Sequence, residues 1–224
     1  TNNLKQIGLA MQNFESVKGR LPSAAVGFNK AETSWLGHTA QFQILPFLER
    51  QHVADEIHFE RRFLHPLNKT VTGAVIPTYC CPSDNSLGRI WYHNIPGYNG
   101  RFSRSNYNVC VGRCTLLYSV PSENLRFASL PPSLRKNIDL RTDGAFYLET
   151  GRKLKEFFDG LSQTALASEI LAGRVDRFSS GTKGSDYRGK WAWVFTGGSC
   201  YMHRNTPNTS IGDALRYECV HSPD

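Results

Sequence analysis

The chain has 224 residues, of which 40% are hydrophobic and 20% are charged, and this composition excludes an intrinsically disordered protein. No run of about 18 apolar residues occurs, so no segment of these residues is predicted to span a membrane. The net charge of +7 favours anionic partners such as nucleic acid, phospholipid or acidic glycan, although a solvated basic surface is the simpler interpretation.

The first predicted element is an amphipathic helix at the start of the chain. Its apolar residues recur at helical spacing, at Leu4, Ile7, Met11 and Phe14, with Gly8 and Val17 on or near the same face. Gly19 and Pro22 end the helix, because glycine adopts the left-handed conformation of helix ends and proline cannot continue a helix. Thr1 is either the N-cap of this helix or an internal residue of a longer one.

A second helix is predicted from about Ile44 to about Ile57. Its apolar residues recur at helical spacing, at Phe42, Leu45, Leu48 and Val53. Pro46 lies in its first turn, where the missing N–H of proline costs nothing. The following stretch, "TVTGAVIPTYCCPSDNSLG", mixes β-branched residues with a Pro-Ser-Asp turn, which predicts a linker into a short strand.

Short strands joined by long loops are predicted for the rest of the chain, because residues 89–140 show no sustained period. "GAFYLET" and "TALASEIL" alternate like strands, with a turn at Asp159-Gly160 between them. "KWAWVFTGG" predicts another strand, with Trp191, Trp193 and Phe195 on one face and Ala192 and Val194 on the other. Helices that precede strands predict an α+β fold, in which a long helix packs on an antiparallel sheet within one domain.

Six cysteines, an even number in a loop-rich chain, favour disulfide bonds in an oxidising compartment. They are Cys80, Cys81, Cys110, Cys114, Cys200 and Cys219. The adjacent Cys80 and Cys81 are not expected to bridge each other, and the sequence does not choose among the remaining pairings. Zinc is the alternative, since spacings such as Cys200-x-x-His203 resemble those of zinc ligands, but the irregular spacing of the whole set argues against a metal site.

Catalytic signatures are missing, since the chain contains no G-x-S-x-G, H-E-x-x-H, G-x-x-x-x-G-K-[ST] or G-x-G-x-x-G motif. The seven histidines are dispersed, and surface or hydrogen-bonded histidines explain them better than a metal site. The oxygen-rich segment 159–164, with Glu169, resembles a calcium loop only loosely, and a turn is the simpler interpretation. No enzyme, metal or cofactor is predicted; a hydrolase that uses side chains from loops is the least favoured alternative.

The segment "RIWYHNIPGYNGRFSRSNYN" concentrates aromatic and basic residues among Asn and Gly. Exposed aromatic rings with polar neighbours suit stacking on sugars or single-stranded nucleic acid, whereas a long loop pinned by its own rings is the structural alternative. The candidate ligand-binding residues are Trp91, Tyr92, Tyr98, Arg101, Phe102, Arg104 and Tyr107, with Arg89 nearby. They support one functional hypothesis, a binding module for glycans or other anionic polymers without specific nucleic-acid recognition.

Six segments, taken in order, resemble the motifs of the planctomycete-type prepilin-like family of unknown function, which is sometimes filed under a solute-binding-type label. The segments are "TNNLKQIGLAMQNFESVKGRLP", "FQILPFLERQHVADEI", "IPTYCCPSD", "SNYNVCVGR", "DGAFYLE" and "FFDGLSQTALASEI". Leu161-Ser162-Gln163-Thr164 replaces the family's Thr-Ser-Asn-Thr, and the family's C-terminal His-Pro-Gly-Gly stretch is not seen. Each motif alone is weak, but six in the same order are specific.

This resemblance implies that a prepilin-type leader and an apolar helix precede Thr1. Residues 1–19 would then be the C-terminal half of a pilin helix, followed by a second helix and linker at 20–88 and by a sheet with loops at 89–224, in one pilin-like domain. The protein is expected in the cell envelope, on the periplasmic or cell-surface side, anchored in the membrane through that helix. The leading hypothesis is a non-catalytic domain that acts in assembly or surface interaction, with other pilin-like subunits or envelope components as partners.

Overall fold

The structure is a computed structural model that describes residues 2–26, 37–85, 88–95, 98–112, 144–174, 177–179, 188–193 and 198–201. The helices are α1 (Asn2–Lys18), α2 (Ala40–Ile44), α3 (Gln51–Asp55) and α4 (Lys69–Thr72). The strands are β1 (Ala25–Val26), β2 (His38–Thr39), β3 (Ile90–Ile95), β4 (Tyr98–Ser103), β5 (Tyr107–Cys110), β6 (Ala167–Glu169), β7 (Arg177–Ser179) and β8 (Cys200–Tyr201). Helices and small sheets together confirm the α+β class.

The first helix forms where the sequence predicts it and buries one side. Ile7, Ala10 and Met11 are its buried residues, and it packs against α2 and the 3-10 turn Leu45–Leu48. The ring of Phe14 meets the edge of Phe47 at a centroid distance of 5.8 Å. Gly19 ends the helix at φ 67°, as predicted, because a residue without Cβ adopts this conformation without strain.

Both ends of α1 are fastened to other parts of the chain. Near its start, the Asn3 Nδ2 donates to the Cys80 carbonyl at 2.8 Å. Just beyond its end, the Leu21 N–H donates to the Arg152 carbonyl at 2.9 Å. The Arg20 guanidinium also donates to the Thr150 hydroxyl at 2.9 Å. The helix is therefore held along its length by apolar contacts and at both ends by hydrogen bonds.

The prediction of one continuous helix from Ile44 to Ile57 is wrong. The chain instead forms α2, a 3-10 turn at Leu45–Leu48, and α3. Pro46 lies in the first turn of the 3-10 helix, where it removes one backbone donor. Glu49 then takes a left-handed conformation at φ 57°, which ends the turn and redirects the chain into α3.

The strands form three small sheets. β1 and β2 pair antiparallel, while the two three-stranded sheets have the orders β4-β3-β7 and β6-β5-β8. In each three-stranded sheet the central strand has one antiparallel and one parallel neighbour. The three-stranded sheets are therefore mixed, whereas the sequence predicted an antiparallel sheet. The helix α1 lies mainly on helical segments, with β6 near it.

Two predicted strands take other forms, and one is shorter than predicted. In "GAFYLET" only Leu148 makes a bridge, to Ala25, and the left-handed Glu149 stops the ladder. In "KWAWVFTGG" Lys190 bridges Arg104 and then the chain turns, with the Trp193 N–H donating to the Lys190 carbonyl at 3.0 Å. Trp191, Ala192 and Trp193 are all buried, so they do not form two faces; Val194 and Phe195 lie outside the described residues. "TALASEIL" contains β6, which is three residues long.

An aromatic cluster forms much of the core between β3, β4 and the turn at 190–193. It comprises Trp91, Phe102, Trp193 and Phe63, with ring centroids 5.1 to 5.9 Å apart and mostly edge-to-face. The fully buried Lys190 places its Nζ 3.6 Å from the centroid of the Trp91 ring. This cation–π contact holds the ammonium against a face of negative potential, which offsets part of its desolvation cost.

Gly19 and Gly189 both have positive φ, but only Gly189 also lacks space for a Cβ, so alanine variants of the two measure the cost of the clash. Gly19 and Gly189 have φ values of 67° and 64°, but a Cβ at Gly19 would meet nothing within 4 Å, whereas one at Gly189 would lie 2.0 Å from the Ser105 carbonyl oxygen. We expect Gly19→Ala to lower the free energy of unfolding by about 1 kcal/mol. Gly189→Ala is expected to lower it by about 3 kcal/mol or more, because the backbone must also move.

Urea unfolding of the two variants and the parent chain measures this difference. Equal losses of stability in both variants would show that the close approach of residues 105 and 189 is not a constraint on the fold.

Candidate functional site

The predicted ligand-binding residues do not form one surface. Four of them, Trp91, Phe102, Arg104 and Tyr107, are buried in the interior. Tyr92 and Arg101 are exposed, and the side chain of Tyr98 lies outside the described residues. These four residues belong to the core, which agrees with the alternative of a segment held by its own rings, and ligand binding by the exposed residues stays a prediction.

The register of the β3–β4 hairpin explains this division. Trp91 lies opposite Phe102, and Tyr92 lies opposite Arg101. Because successive residues of a strand point to opposite faces, one pair enters the aromatic core and the other faces outward. We call the outward pair the Tyr92–Arg101 face.

Two other arginines of this segment hold backbone carbonyls. Arg104 is fully buried, and its Nη1 donates to the Arg188 carbonyl at 2.8 Å. The Arg89 guanidinium donates to the Arg174 carbonyl. Both side chains therefore connect β3 and β4 to distant loops, which is a structural role.

The Tyr92–Arg101 face combines an aromatic ring with a cation. Tyr92 is 44% exposed, and Arg101 is also exposed. The Arg101 carbonyl accepts from the Thr72 hydroxyl at 2.8 Å, and a Cβ built on Gly73 would lie 3.3 Å from the Arg101 Cβ. The end of α4 is thus fixed beside Arg101, and Lys69 at the start of the same short helix is exposed.

A second notable arrangement is a hydrogen-bonded junction around Asn106, which the sequence did not predict. The Asn106 Oδ1 accepts from the Cys81 N–H at 2.8 Å, and its Nδ2 donates to the Ile170 carbonyl at 3.1 Å and to the Asp84 carboxylate. Its own N–H donates to the Tyr79 carbonyl at 2.8 Å, and its carbonyl accepts from the Ile170 N–H at 2.7 Å. One side chain therefore ties together three segments that are distant in the sequence.

The Asn106 junction gathers the segments that carry the family resemblance. "IPTYCCPSD" supplies Cys81 and Asp84, "SNYNVCVGR" supplies Asn106, and "FFDGLSQTALASEI" ends at Ile170. The Asp84 carboxylate also accepts from the Ala172 N–H at 3.4 Å, and Asn3 of the first motif binds the neighbouring Cys80 carbonyl. In this chain the Asn106 and Asp84 side chains therefore position backbone segments against one another.

The four described cysteines are all buried, and no disulfide bond joins any two of them. They are Cys80, Cys81, Cys110 and Cys200. Cys114 and Cys219 lie outside the described residues. The disulfide framework predicted from the sequence is therefore not confirmed and stays a prediction.

Burial raises the pKa of two of these thiols. Burial, with a smaller contribution from the Asp84 charge, raises the pKa of Cys80 to about 11. Burial also raises the pKa of Cys200 to about 12, although a hydrogen bond with Ser199 opposes the shift. Because the thiolate is the nucleophile and the metal ligand, both side chains are chemically inert near neutral pH.

Neither a metal centre nor a membrane-spanning helix occurs in the part of the chain that the structure describes. That part contains no group of three or more His, Cys, Asp or Glu side chains that could hold a metal ion. None of its helices is both long enough and apolar enough to cross a bilayer.

The segment 159–164, which loosely resembles a calcium loop, begins with a turn at Gly160. This residue has φ 85°, and its N–H donates to the Phe157 carbonyl at 3.2 Å, which matches the predicted turn.

The Asn106 junction predicts a stability effect. Asn106→Ala would leave the Cys81 N–H and the Ile170 carbonyl without this partner in a buried site, so we expect a loss of about 2 to 4 kcal/mol in the free energy of unfolding. Asn13→Ala, at an exposed position of α1, is the matched control and should change it by less than about 0.5 kcal/mol. Chemical denaturation that finds the two variants equally stable would contradict the structural role of Asn106.

The raised thiol pKa values predict how stability depends on pH. In the unfolded chain the thiols titrate near the ordinary value of 9.0, whereas in the folded chain those of Cys80 and Cys200 stay protonated up to about 11 and 12. The folded state therefore holds protons on these two thiols above pH 9, so their contribution to the free energy of unfolding should be constant well below pH 9 and fall above it. Cys200→Ala removes one of these protons, so the free energy of unfolding should fall less steeply with pH, by the slope that corresponds to about one bound proton.

Alkylation with iodoacetamide separates this prediction from the disulfide hypothesis. Without reductant, Cys80 and Cys200 should resist the reagent in the native chain and react after denaturation. Failure to react even in denaturant would mean that they are oxidised, as the cysteine count predicts.

Comparison with known proteins gives one result for the whole chain. A family model described as "Protein of unknown function (DUF1559)" matches residues 1–221. Neither the curated proteins nor the solved structures contain a significant match to the chain. Because the family model covers nearly the full sequence, the chain belongs to the DUF1559 family, whose function is not established.

Proposed function

We propose that this chain is the envelope-exposed, non-catalytic domain of a membrane-anchored, pilin-like protein that acts in assembly or surface interaction. The observation that carries this proposal is the state of α1, which is bound on one side and exposed on the other. The same proposal places the protein on the periplasmic or cell-surface side. It also names other pilin-like subunits or envelope components as the partners.

The exposed side of α1 supports an assembly role. Its exposed residues are Asn2, Lys5, Gln6, Leu9, Gln12, Asn13, Ser16, Val17 and Lys18. Leu9 is 55% exposed and Val17 is 67% exposed, and the residues between them are uncharged apart from the half-buried Glu15. Such a surface can pack against another apolar or uncharged helix without burying unpaired charge.

The chemistry of the described side chains supports a role without catalysis. The Cys80 and Cys200 thiols have raised pKa values, and the Asp84 carboxylate is occupied by the Asn106 amide and the Ala172 N–H. A catalytic site needs a nucleophile or base with an open approach and a partner that tunes its pKa. Among the described residues, the Asn106 and Asp84 side chains of the motifs instead form hydrogen bonds with backbone groups.

Membrane anchoring is tested on the full-length gene product in its own cells. We expect the protein in the membrane fraction, resistant to extraction with alkaline carbonate, whereas residues 1–224 expressed alone should be released by that treatment. Recovery of the full-length protein in the carbonate extract would contradict the anchored, pilin-like proposal.

Assembly is tested by photo-crosslinking in the full-length protein. A photoreactive amino acid at Leu9, on the exposed side of α1, should give crosslinks to a second copy or to another pilin-like subunit. Leu171, which is 59% exposed but lies outside α1, is the matched control position and should give several-fold less product. Equal crosslinking at both positions, or none at Leu9, would contradict assembly through this helix.

A further inference from the structure

We propose that the Tyr92–Arg101 face binds an acidic polysaccharide, with the Tyr92 ring stacked on a sugar and Arg101 paired with a sugar carboxylate. This inference names a ligand class and a surface for the proposed surface interaction. It rests on that function only in requiring the face to be turned away from the membrane, and its test uses the isolated chain.

The geometry of the hairpin places both groups within reach of one sugar unit. Tyr92 and Arg101 are direct cross-strand partners, so their Cβ atoms lie about 5 Å apart on the same face. A single pyranose ring with its carboxylate extends over a similar distance. The two side chains can therefore contact the ring and the acid group of one residue at the same time.

The Tyr92–Arg101 face is rigid because the opposite face of the same hairpin packs into the hydrophobic core. Trp91 and Phe102, the pair that follows in register, are fully buried and pack at a centroid distance of 5.7 Å. β3 is also the central strand of its sheet, with β4 on one side and β7 on the other. A binding surface that is already ordered loses little conformational entropy when the ligand arrives.

The charge of this surface matches a polyanion. Arg101 and Lys69 are exposed, and the chain as a whole carries a net charge of +7. Arg89 and Arg104 are engaged with backbone carbonyls, so they do not contribute to a ligand contact. Arg101 can pair with a carboxylate in bidentate geometry, which lysine cannot reproduce.

The aromatic content of the face favours a sugar over nucleic acid. Proteins that bind single strands stack successive bases on several aromatic rings. Among the side chains that the structure describes on β3 and β4, Tyr92 is the exposed aromatic one, because Trp91 and Phe102 are buried. An aromatic ring beside a guanidinium matches a uronic acid, which has an apolar ring face and a carboxylate.

The test is binding of fluorescently labelled oligogalacturonate to residues 1–224, followed by anisotropy at low salt. Arg101→Ala should weaken binding about tenfold, the effect of losing one charge-assisted pair, and Arg101→Lys should recover only part of it. Tyr92→Ala should weaken binding about fivefold through the lost stacking contact. Unlabelled neutral dextran should not compete.

Two variants on a separate loop are matched controls. Lys155→Ala removes one exposed positive charge, and Phe158→Ala removes an aromatic ring that is 91% exposed. Each should change oligogalacturonate affinity by less than about twofold, since neither lies on the Tyr92–Arg101 face. Thermal unfolding of all variants checks that the fold is retained.

Three results would overturn the proposal. The first is no binding of oligogalacturonate above the dextran control. The second is an equal loss of affinity in Arg101→Ala and Lys155→Ala, which would mean non-specific attraction to the net charge. The third is binding of a single-stranded oligonucleotide that depends on Tyr92 while oligogalacturonate does not bind. None of these results bears on carbonate extraction or photo-crosslinking, so the proposed function is judged separately.

Discussion

The carboxamide of Asn106 is the interaction on which the arrangement of this domain depends most. It satisfies backbone groups of residues 81 and 170 and a carboxylate at residue 84, while its own backbone pairs with residues 79 and 170. Asparagine suits this place because its side chain carries a donor and an acceptor on one small planar group. A fold with short strands and long connections has few hydrogen bonds between strands. A side chain that joins three segments then satisfies backbone groups that a larger sheet would otherwise pair.

The second constraint is the burial of two basic side chains in the interior. Arg104 and Lys190 are opposite each other in an isolated bridge, and both are fully buried. The Arg104 guanidinium reaches a backbone carbonyl, and the Lys190 ammonium lies over Trp91. Arg104 and Lys190, which the sequence would place on the surface, are thus part of the interior. Fewer basic side chains are therefore left on the surface to bind ligands.

The parts of the fold that sequence could predict are those governed by local rules. The helical period and Gly19 gave α1 its correct end, because both signals act within a few residues. The second helix was mispredicted because its apolar period continues through Glu49, where the chain turns left-handed. The segment around Trp191 was mispredicted because Trp191, Ala192 and Trp193 are all buried, and alternation carries no information when both faces are covered.

The candidate site was predictable only in part for a related reason. The sequence identified the aromatic and basic stretch, but which residues face outward depends on the pairing of Tyr92 with Arg101, a property of the hairpin register. The Asn106 junction was missed because its partners are backbone groups at residues 81 and 170, which no side-chain pattern marks. Asp84 was interpreted only as part of the Pro-Ser-Asp turn, and Asn106 was not singled out.

The fastening of α1 at both ends has a mechanical consequence. A force applied along the axis of this helix loads the bond from Asn3 to the Cys80 carbonyl and the bond from Leu21 to the Arg152 carbonyl together, in shear. The buried Ile7 and Met11 must slide past the 3-10 turn at Leu45–Leu48 before either end can move far. Tension at the start of the helix is therefore passed through Cys80 to the segment that the Asn106 side chain holds.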